Sequence, residues 1–77
     1  MKVFHISLHS MQDVQDFVSL ANTQPFDVTV GNDRQWVSGK SFMGMFCLDQ
    51  NQPQQVSVDC SDEEFQRFHA AAERFCT

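Results

Sequence analysis

The segment from Gly39 to Leu48 sets one hydroxyl beside many large apolar side chains, a combination suited to regulated binding. Ser41 follows Lys40, and its side-chain oxygen can accept a hydrogen bond from a backbone amide, which predicts the start of a short helix. At 3.6 residues per turn the helix would have two different sides. One side would carry Gly44, Met45 and Leu48, and the other would carry Phe42, Met43, Phe46 and Cys47.

A helix that is apolar all round is either buried on every side or exposes an apolar face to a partner. A chain of 77 residues has little core in which to bury a helix on every side. We therefore expect this segment to form a contact surface with the Ser41 hydroxyl at its edge.

The other reactive side chains show no arrangement typical of a catalytic or metal site. Cys47, Cys60 and Cys76 lack a CxxC spacing, and their odd number without a secretion signal indicates reduced thiols. Because their spacing fits no Cys/His zinc pattern, we expect neither a metal nor a cofactor. His5 and His69 have no supporting residues and are expected at the surface. The absence of an acid–base pair or phosphate loop predicts a binding or carrier protein, not an enzyme.

Length and composition predict a small folded protein. The 77 residues fit one domain over 1–77, and 42% apolar residues with eight Phe exclude a disordered chain. The net charge is −5 with only five Lys and Arg, so nucleic acid and anionic membranes are excluded as direct partners. The N-terminal segment does not fit a signal peptide, and no run approaches the roughly 18 apolar residues of a membrane span. We therefore expect a cytoplasmic protein.

Apolar periodicity predicts strands and helices on both sides of the central segment. Val3–Leu8 alternates as a half-buried strand, and Ser10 then caps a helix that ends near Asn22. Ser61–Glu64 is a capping box that begins a helix continuing to the end of the chain. Between them we predict a strand at Phe26–Val30, a turn at Gly31–Asp33, a returning strand at Arg34–Ser38, a polar loop at Asp49–Gln55 and a strand at Val56–Cys60.

The element order βαββαβα predicts a two-layer α+β domain, in which three helices cover one face of a four-stranded, largely antiparallel sheet. Its two crossovers should be right-handed, each leaving room for another strand between its arms. The other face of the sheet should meet water. Residues expected on that face are His5, Ser7, Asp27, Thr29, Ser57 and Asp59.

This order, with a short second helix that begins Lys-Ser, resembles HPr, the small phosphocarrier of the bacterial sugar phosphotransferase system. Residues Lys40–Met45, K-S-F-M-G-M, are similar to the K-S-I-M-G-V segment of that family. The resemblance covers most of the chain. Its further parts are Phe17-Val18, Val28–Val30, Val56–Val58 and Asp62–Glu64.

The resemblance implies that Ser41 is the serine phosphorylated by HPr kinase in carbon catabolite regulation. It also implies that Phe42, Met43 and Phe46 dock a transcriptional regulator of carbon use. A phosphate at a helix N-terminus would meet free amides and a partial positive charge. Phosphorylation would therefore change the charge of the docking surface without refolding it.

The family's phosphorylated histidine lies in a G-L-H-T/A-R-P-A motif, and this motif is degenerate here. Leu8-His9-Ser10 resembles L-H-T, but the Arg-Pro is missing. Counting back from Phe17 without a gap puts the family histidine on Ser10. Placing it on His9 requires a shift of the alignment by one residue. In place of the arginine the helix start offers Gln12 and Asp13, and the Asp13 carboxylate would repel a phosphate.

Three hypotheses follow. The first is a regulatory phosphoprotein switched at Ser41, as in the Crh-type relatives of HPr, which lack the active histidine and keep the serine. The second is a phosphocarrier that receives its phosphoryl group from enzyme I on His9. The third is an interaction module that retains the scaffold for an unrelated partner. The exposed apolar face of Phe42, Met43 and Phe46 would allow a monomer or a weak homodimer.

Overall fold

Four strands form one antiparallel sheet in the computed structural model, which describes residues 1–49 and 51–77. The sheet order is β1-β4-β2-β3, and each neighbouring pair is antiparallel. Both predicted crossovers therefore enclose another strand: β4 lies between β1 and β2, and β2 lies between β4 and β3. The strands are β1 Lys2–Ile6, β2 Val28–Gly31, β3 Trp36–Ser38 and β4 Gln54–Val58.

Three helices and a terminal turn complete the chain, which confirms the predicted α+β order. They are α1 Met11–Asn22, α2 Phe42–Phe46, α3 Asp62–Ala71 and a 3-10 turn at Glu73–Phe75. Each α-helix begins at a serine whose hydroxyl accepts a backbone amide three residues later. The capping serines are Ser10, Ser41 and Ser61.

The core lies between the helices and one face of the sheet. Phe17 of α1 and Phe68 of α3 are fully buried, with ring centroids 6.3 Å apart, and the ring of Phe4 from β1 lies edge-on to that of Phe68. Met45 from α2 and Val56 from β4 are also fully buried in this cluster. Because every helix contributes a buried side chain to the same cluster, the helices share one face of the sheet.

The predicted strand ends were partly wrong. The first strand ends at Ile6 and not at Leu8. From Ser7 onward the backbone bonds to the C-terminal end of the chain and not to β4, since the Ser7 amide donates to the Phe75 carbonyl at 2.8 Å. The second strand begins at Val28, later than predicted, and includes Gly31. The last helix ends at Ala71, and the 3-10 turn Glu73–Phe75 follows it.

The fourth strand is Gln54–Val58, two residues earlier than predicted. Gln54 was expected in a polar loop, yet its side chain is buried and donates to the carbonyls of Asp49 and Gln52, at 2.5 Å and 3.0 Å. These bonds satisfy a polar group that would otherwise be costly to bury. The predicted loop therefore ends at Pro53, and its residue Gln50 lies outside the described residues.

The sheet face opposite the helices is less polar than predicted. His5 and Asp27 are exposed, as expected, but Ser57 is only 7% exposed because the strands on both sides of it cover its position. Val3 and Trp36 lie on the same face and are 46% and 47% exposed.

Candidate functional site

Ser41 is exposed and occupies the N-cap of α2. Its backbone is extended, at φ −101° and ψ 114°, and its Oγ accepts a hydrogen bond from the Gly44 amide at 3.1 Å. Its carbonyl accepts a hydrogen bond from the Met45 amide at 3.0 Å, so both the side chain and the backbone of Ser41 bond to the first turn of the helix. The hydroxyl keeps its own proton for another partner, and an enzyme could reach it from solvent.

The α2 helix has one buried and one exposed side, as its periodicity predicts. Met45 is fully buried and Leu48 is 4% exposed, whereas Met43 is 76% and Phe46 is 36% exposed. Phe42 is half-buried, and its ring lies edge-on to that of Phe46 with centroids 4.5 Å apart. Ser41, Phe42, Met43 and Phe46 together form what we call the α2 surface.

Lys40 lies beside Ser41 in sequence, but its charge is directed to the segment that follows α1. Its Nζ donates to the Gln24 carbonyl at 2.9 Å, and the Asn22 side chain donates to the Lys40 carbonyl at 3.0 Å. Lys40 therefore joins the end of α1 to the start of α2. The sequence motif did not indicate this role, because it depends on residues 16 or more positions away.

The segment before α1 brings His9, Ser10 and Asp13 together. Ser10 is the N-cap, and its Oγ accepts the Asp13 amide at 3.1 Å. The Asp13 carboxylate in turn accepts the backbone amide of His9 at 3.0 Å. The His9 side chain is exposed and makes no hydrogen bond or ion pair within residues 1–49 and 51–77. Capping therefore occupies Ser10, while the imidazole of His9 is available to solvent.

A cation does lie at the first turns of α1, contrary to the sequence-based expectation. The Arg74 guanidinium contacts the carboxylates of Asp13 and Asp16, at 3.3 Å and 2.6 Å, and lies 4.2 Å from the centroid of the Phe75 ring. Sequence reasoning missed this residue because it comes from the opposite end of the chain. With two carboxylates on one guanidinium, the cluster retains a negative formal charge.

The two remaining histidines are at the surface, as expected, and neither contributes to these clusters. His5 is exposed on β1. His69 is also exposed, and its ring stacks on Phe65 with centroids 5.7 Å apart. Within the described residues there is no group of three or more His, Cys, Asp or Glu side chains that could hold a metal. None of the described helices is long and apolar enough to cross a membrane.

Comparison with known proteins bears on this geometry. The family model described as "PTS HPr component phosphorylation site" matches residues 9–77. The chain belongs to the HPr family. HPr proteins are phosphocarriers of the phosphotransferase system that interact with its other proteins, such as enzyme I. No curated protein matches the sequence significantly.

A solved structure supports the HPr fold. The chain resembles HPr-C-His from Thermoanaerobacter tengcongensis with a TM-score of 0.72 and 23% sequence identity, over 94% of this chain and 90% of that chain. At this identity the likeness concerns the fold alone. Within this HPr fold, the exposed hydroxyl of Ser41 and the exposed imidazole of His9 stand at the starts of α2 and α1.

Proposed function

We propose that this HPr-family protein is a regulatory phosphoprotein, switched by serine phosphorylation at Ser41 and binding its partners through the α2 surface. One observation carries the proposal: an exposed N-cap hydroxyl borders a helix whose solvent side is apolar. Ser41 is exposed, and Met43 and Phe46 extend from the same helix into solvent. The degenerate histidine motif at Leu8–Ser10 supports a role like that of the Crh-type relatives.

The chemical step is transfer of the γ-phosphoryl group of ATP by an HPr kinase. The Ser41 O–H bond breaks, an Oγ–P bond forms, and ADP and a proton are released. The phosphate adds about −1.5 to −2 charges at pH 7. Buried Met45 and Leu48 hold the helix in position. Phosphorylation would thus change the charge beside Met43 and Phe46 and leave the apolar contacts intact.

A partner suited to the phosphorylated form would present a cationic group beside an apolar pocket. The proposed partner is a carbon-catabolite transcriptional regulator in the bacterial cytoplasm. The cation would contact the phosphoserine at position 41, and the pocket would take Met43 and Phe46. In the absence of a partner, the same apolar residues would support at most a weak homodimer.

A second candidate function is transfer of a phosphoryl group from enzyme I to His9. The exposed imidazole favours this function, since it can approach a donor protein, and Arg74 partly neutralises Asp13 beside it. The two carboxylates already paired with Arg74 oppose it, because they compete with an incoming phosphate for the cation. We therefore rank Ser41 before His9.

The test is intact-mass measurement of the full chain with both phosphodonors. Incubation with HPr kinase and ATP should add one phosphoryl group, which Ser41→Ala removes. Ser10→Ala is the matched control, because Ser10 is also an exposed N-cap serine of this chain. No mass gain, or a gain that survives Ser41→Ala, would overturn the proposal.

The second arm uses enzyme I and phosphoenolpyruvate. An acid-labile adduct that is lost in His9→Ala and kept in Ser10→Ala would establish the phosphocarrier function instead. If neither ATP with HPr kinase nor phosphoenolpyruvate with enzyme I modifies the chain, the interaction-module hypothesis remains. It predicts that Phe46→Asp abolishes partner binding without any phosphorylation. Met11→Asp is the control for that variant, since Met11 is 62% exposed on α1.

A further inference from the structure

The face of the sheet opposite the helices contains an apolar depression of about 400 Å³. Ser57 of β4 and Thr29 of β2 are cross-strand partners at its centre, with Val3 next to Ser57 on β1. Trp36 of β3 also lines it. Val3 and Trp36 are both nearly half exposed, so apolar surface remains open to solvent on the side of the sheet that α2 does not occupy.

The position of Trp36 is fixed by its neighbour across the strands. Gly31 and Trp36 are cross-strand partners, and a Cβ at Gly31 would clash with the Gln35 carbonyl oxygen, its nearest atom, and come within 2.7 Å of the indole Cδ2. The indole therefore rests directly on the glycine backbone, in the space that a side chain would fill. A ring held in this way loses little conformational freedom when a ligand covers it.

One end of the depression carries two carboxylates. Val28 and Val58 are cross-strand partners in an antiparallel pair. Asp27 precedes Val28 and Asp59 follows Val58, so the two aspartates lie opposite each other at this end of the depression. Both aspartates are exposed, and neither forms an ion pair within the described part of the chain. Like charges opposite each other on adjacent strands are destabilising. A cation bound between them would relieve this repulsion.

The chain itself supplies little positive charge at this place. Lys2 is bound to Asp62 at 3.2 Å and to the Cys60 carbonyl at 2.9 Å. In the described part of the chain no Lys or Arg lines the depression, and Met1, which does line it, is 92% exposed. A ligand that binds here would therefore have to bring its own cation.

We infer that the depression binds a cationic, apolar peptide segment of a partner protein. An aliphatic side chain would cover Val3 and Trp36, and a neighbouring Lys or Arg would contact Asp27 and Asp59. Charge complementarity argues against a second copy of this chain as the occupant, because each copy carries a net charge of −5. Since α2 lies in the helical layer, one molecule could bind this segment and a partner of the α2 surface together.

The test titrates the ¹⁵N-labelled full chain with the peptide acetyl-Leu-Arg-Leu-Arg-amide. We expect saturable amide shifts in β2 and β4, and a change in the fluorescence of Trp36, the one tryptophan of the chain. Replacing Arg by Glu, or Leu by Ser, in the peptide should abolish binding. Asp27→Asn or Asp59→Asn should weaken binding about two- to fivefold, less so at high salt.

Asp33→Asn is the matched control, because Asp33 is an exposed aspartate outside the lining of the depression. The urea midpoint of each variant verifies that it folds. Equal binding of the Glu peptide, equal effects of Asp33→Asn and Asp59→Asn, or shifts confined to α2 would overturn the inference. Shifts that depend on protein concentration without peptide would also overturn it, since they would identify a second copy as the occupant. None of these outcomes depends on phosphorylation of Ser41.

Discussion

The Arg74 guanidinium donates to the Asp16 carboxylate at 2.6 Å, which joins two side chains 58 residues apart. Its other nitrogen contacts Asp13, and its plane lies over the Phe75 ring. The C-terminal turn is thereby fixed against α1 by charge and by an aromatic contact. The same contact supplies the positive charge at the start of α1 that the degenerate histidine motif lacks.

Arg74→Ala should lower the free energy of unfolding by about 1 kcal/mol, because two half-exposed ion pairs and a cation–π contact are lost together. Urea denaturation at low and high salt measures this loss, and salt should reduce it. Arg67→Ala is the control, since its one ion pair, with Glu63, is largely exposed and should cost about 0.3 kcal/mol. Equal losses in the two variants would contradict this account.

The stability of the protein should fall with acid partly through Glu64. The Ser61 backbone amide donates to the Glu64 carboxylate at 3.0 Å, and this bond holds the pKa of Glu64 below its ordinary value. A carboxyl whose pKa is lower in the folded state stabilises it above the unfolded pKa. This contribution disappears as the pH falls through the folded pKa.

Glu64→Gln should therefore flatten the dependence of the urea midpoint on pH below about pH 4.3, the ordinary pKa of a glutamate. Glu63→Gln is the matched control, because Glu63 lies in the same helical turn but receives no hydrogen bond from Ser61 within the described residues. If both variants keep the slope of the unmodified protein, the capping box does not contribute to acid unfolding.

Two glycines should respond differently to alanine. At Gly31 an added Cβ would clash with the Gln35 backbone carbonyl oxygen, its nearest atom, and lie 2.7 Å from the Trp36 ring, so Gly31→Ala should destabilise the protein by about 2 kcal/mol and change the Trp36 fluorescence. At Gly44 the nearest atoms are 3.3 Å away, and alanine favours the helix, so Gly44→Ala should change stability by less than about 1 kcal/mol. Urea unfolding followed by fluorescence compares them. Similar losses would show that the backbone at Gln35 and Trp36 moves away from Gly31 together with the indole at little cost.

The three thiols should react at two rates. Cys47 is exposed beside the α2 surface, whereas desolvation, followed by nearby carboxylates, raises the pKa of Cys60 and Cys76. Because the thiolate is the reactive form, Ellman's reagent at about pH 8 should modify one thiol rapidly and two slowly. Cys47→Ser should remove the rapid phase. In urea all three thiols should react alike, and a single rate in the folded protein would refute the assignment.

The parts of the fold that local sequence controls were predicted well. Ser10, Ser41 and Ser61 each cap a helix through an amide three residues later, so their helix starts can be read from a few neighbouring residues. The two sides of α2 also followed from its periodicity, since Met45 is buried and Met43 exposed. These features depend on contacts within a single turn.

The remaining features depend on tertiary contacts and could not be predicted. Gln54 joins a strand because loop carbonyls satisfy its buried amide. Val3 lies on β1 and Trp36 on β3, at the two edges of the sheet. They line one depression only because β4 and β2 lie between them and align the two residues on the same face. Arg74 meets Asp16 only after the sheet and α1 have brought the two ends of the chain together.

The C-terminal residues protect one edge of the sheet. Cys76 forms a bridge with Ile6, and the Thr77 amide donates to the His5 carbonyl at 3.1 Å, so the end of the chain pairs with the second half of β1. The opposite edge, β3, is three residues long and pairs with β2 alone. Fibril growth requires two pairing edges on every molecule. With the second half of β1 already paired, Lys2–Phe4 of that edge and the three residues of β3 remain open in the described sheet, so edge-to-edge growth would have to rest on very short strands.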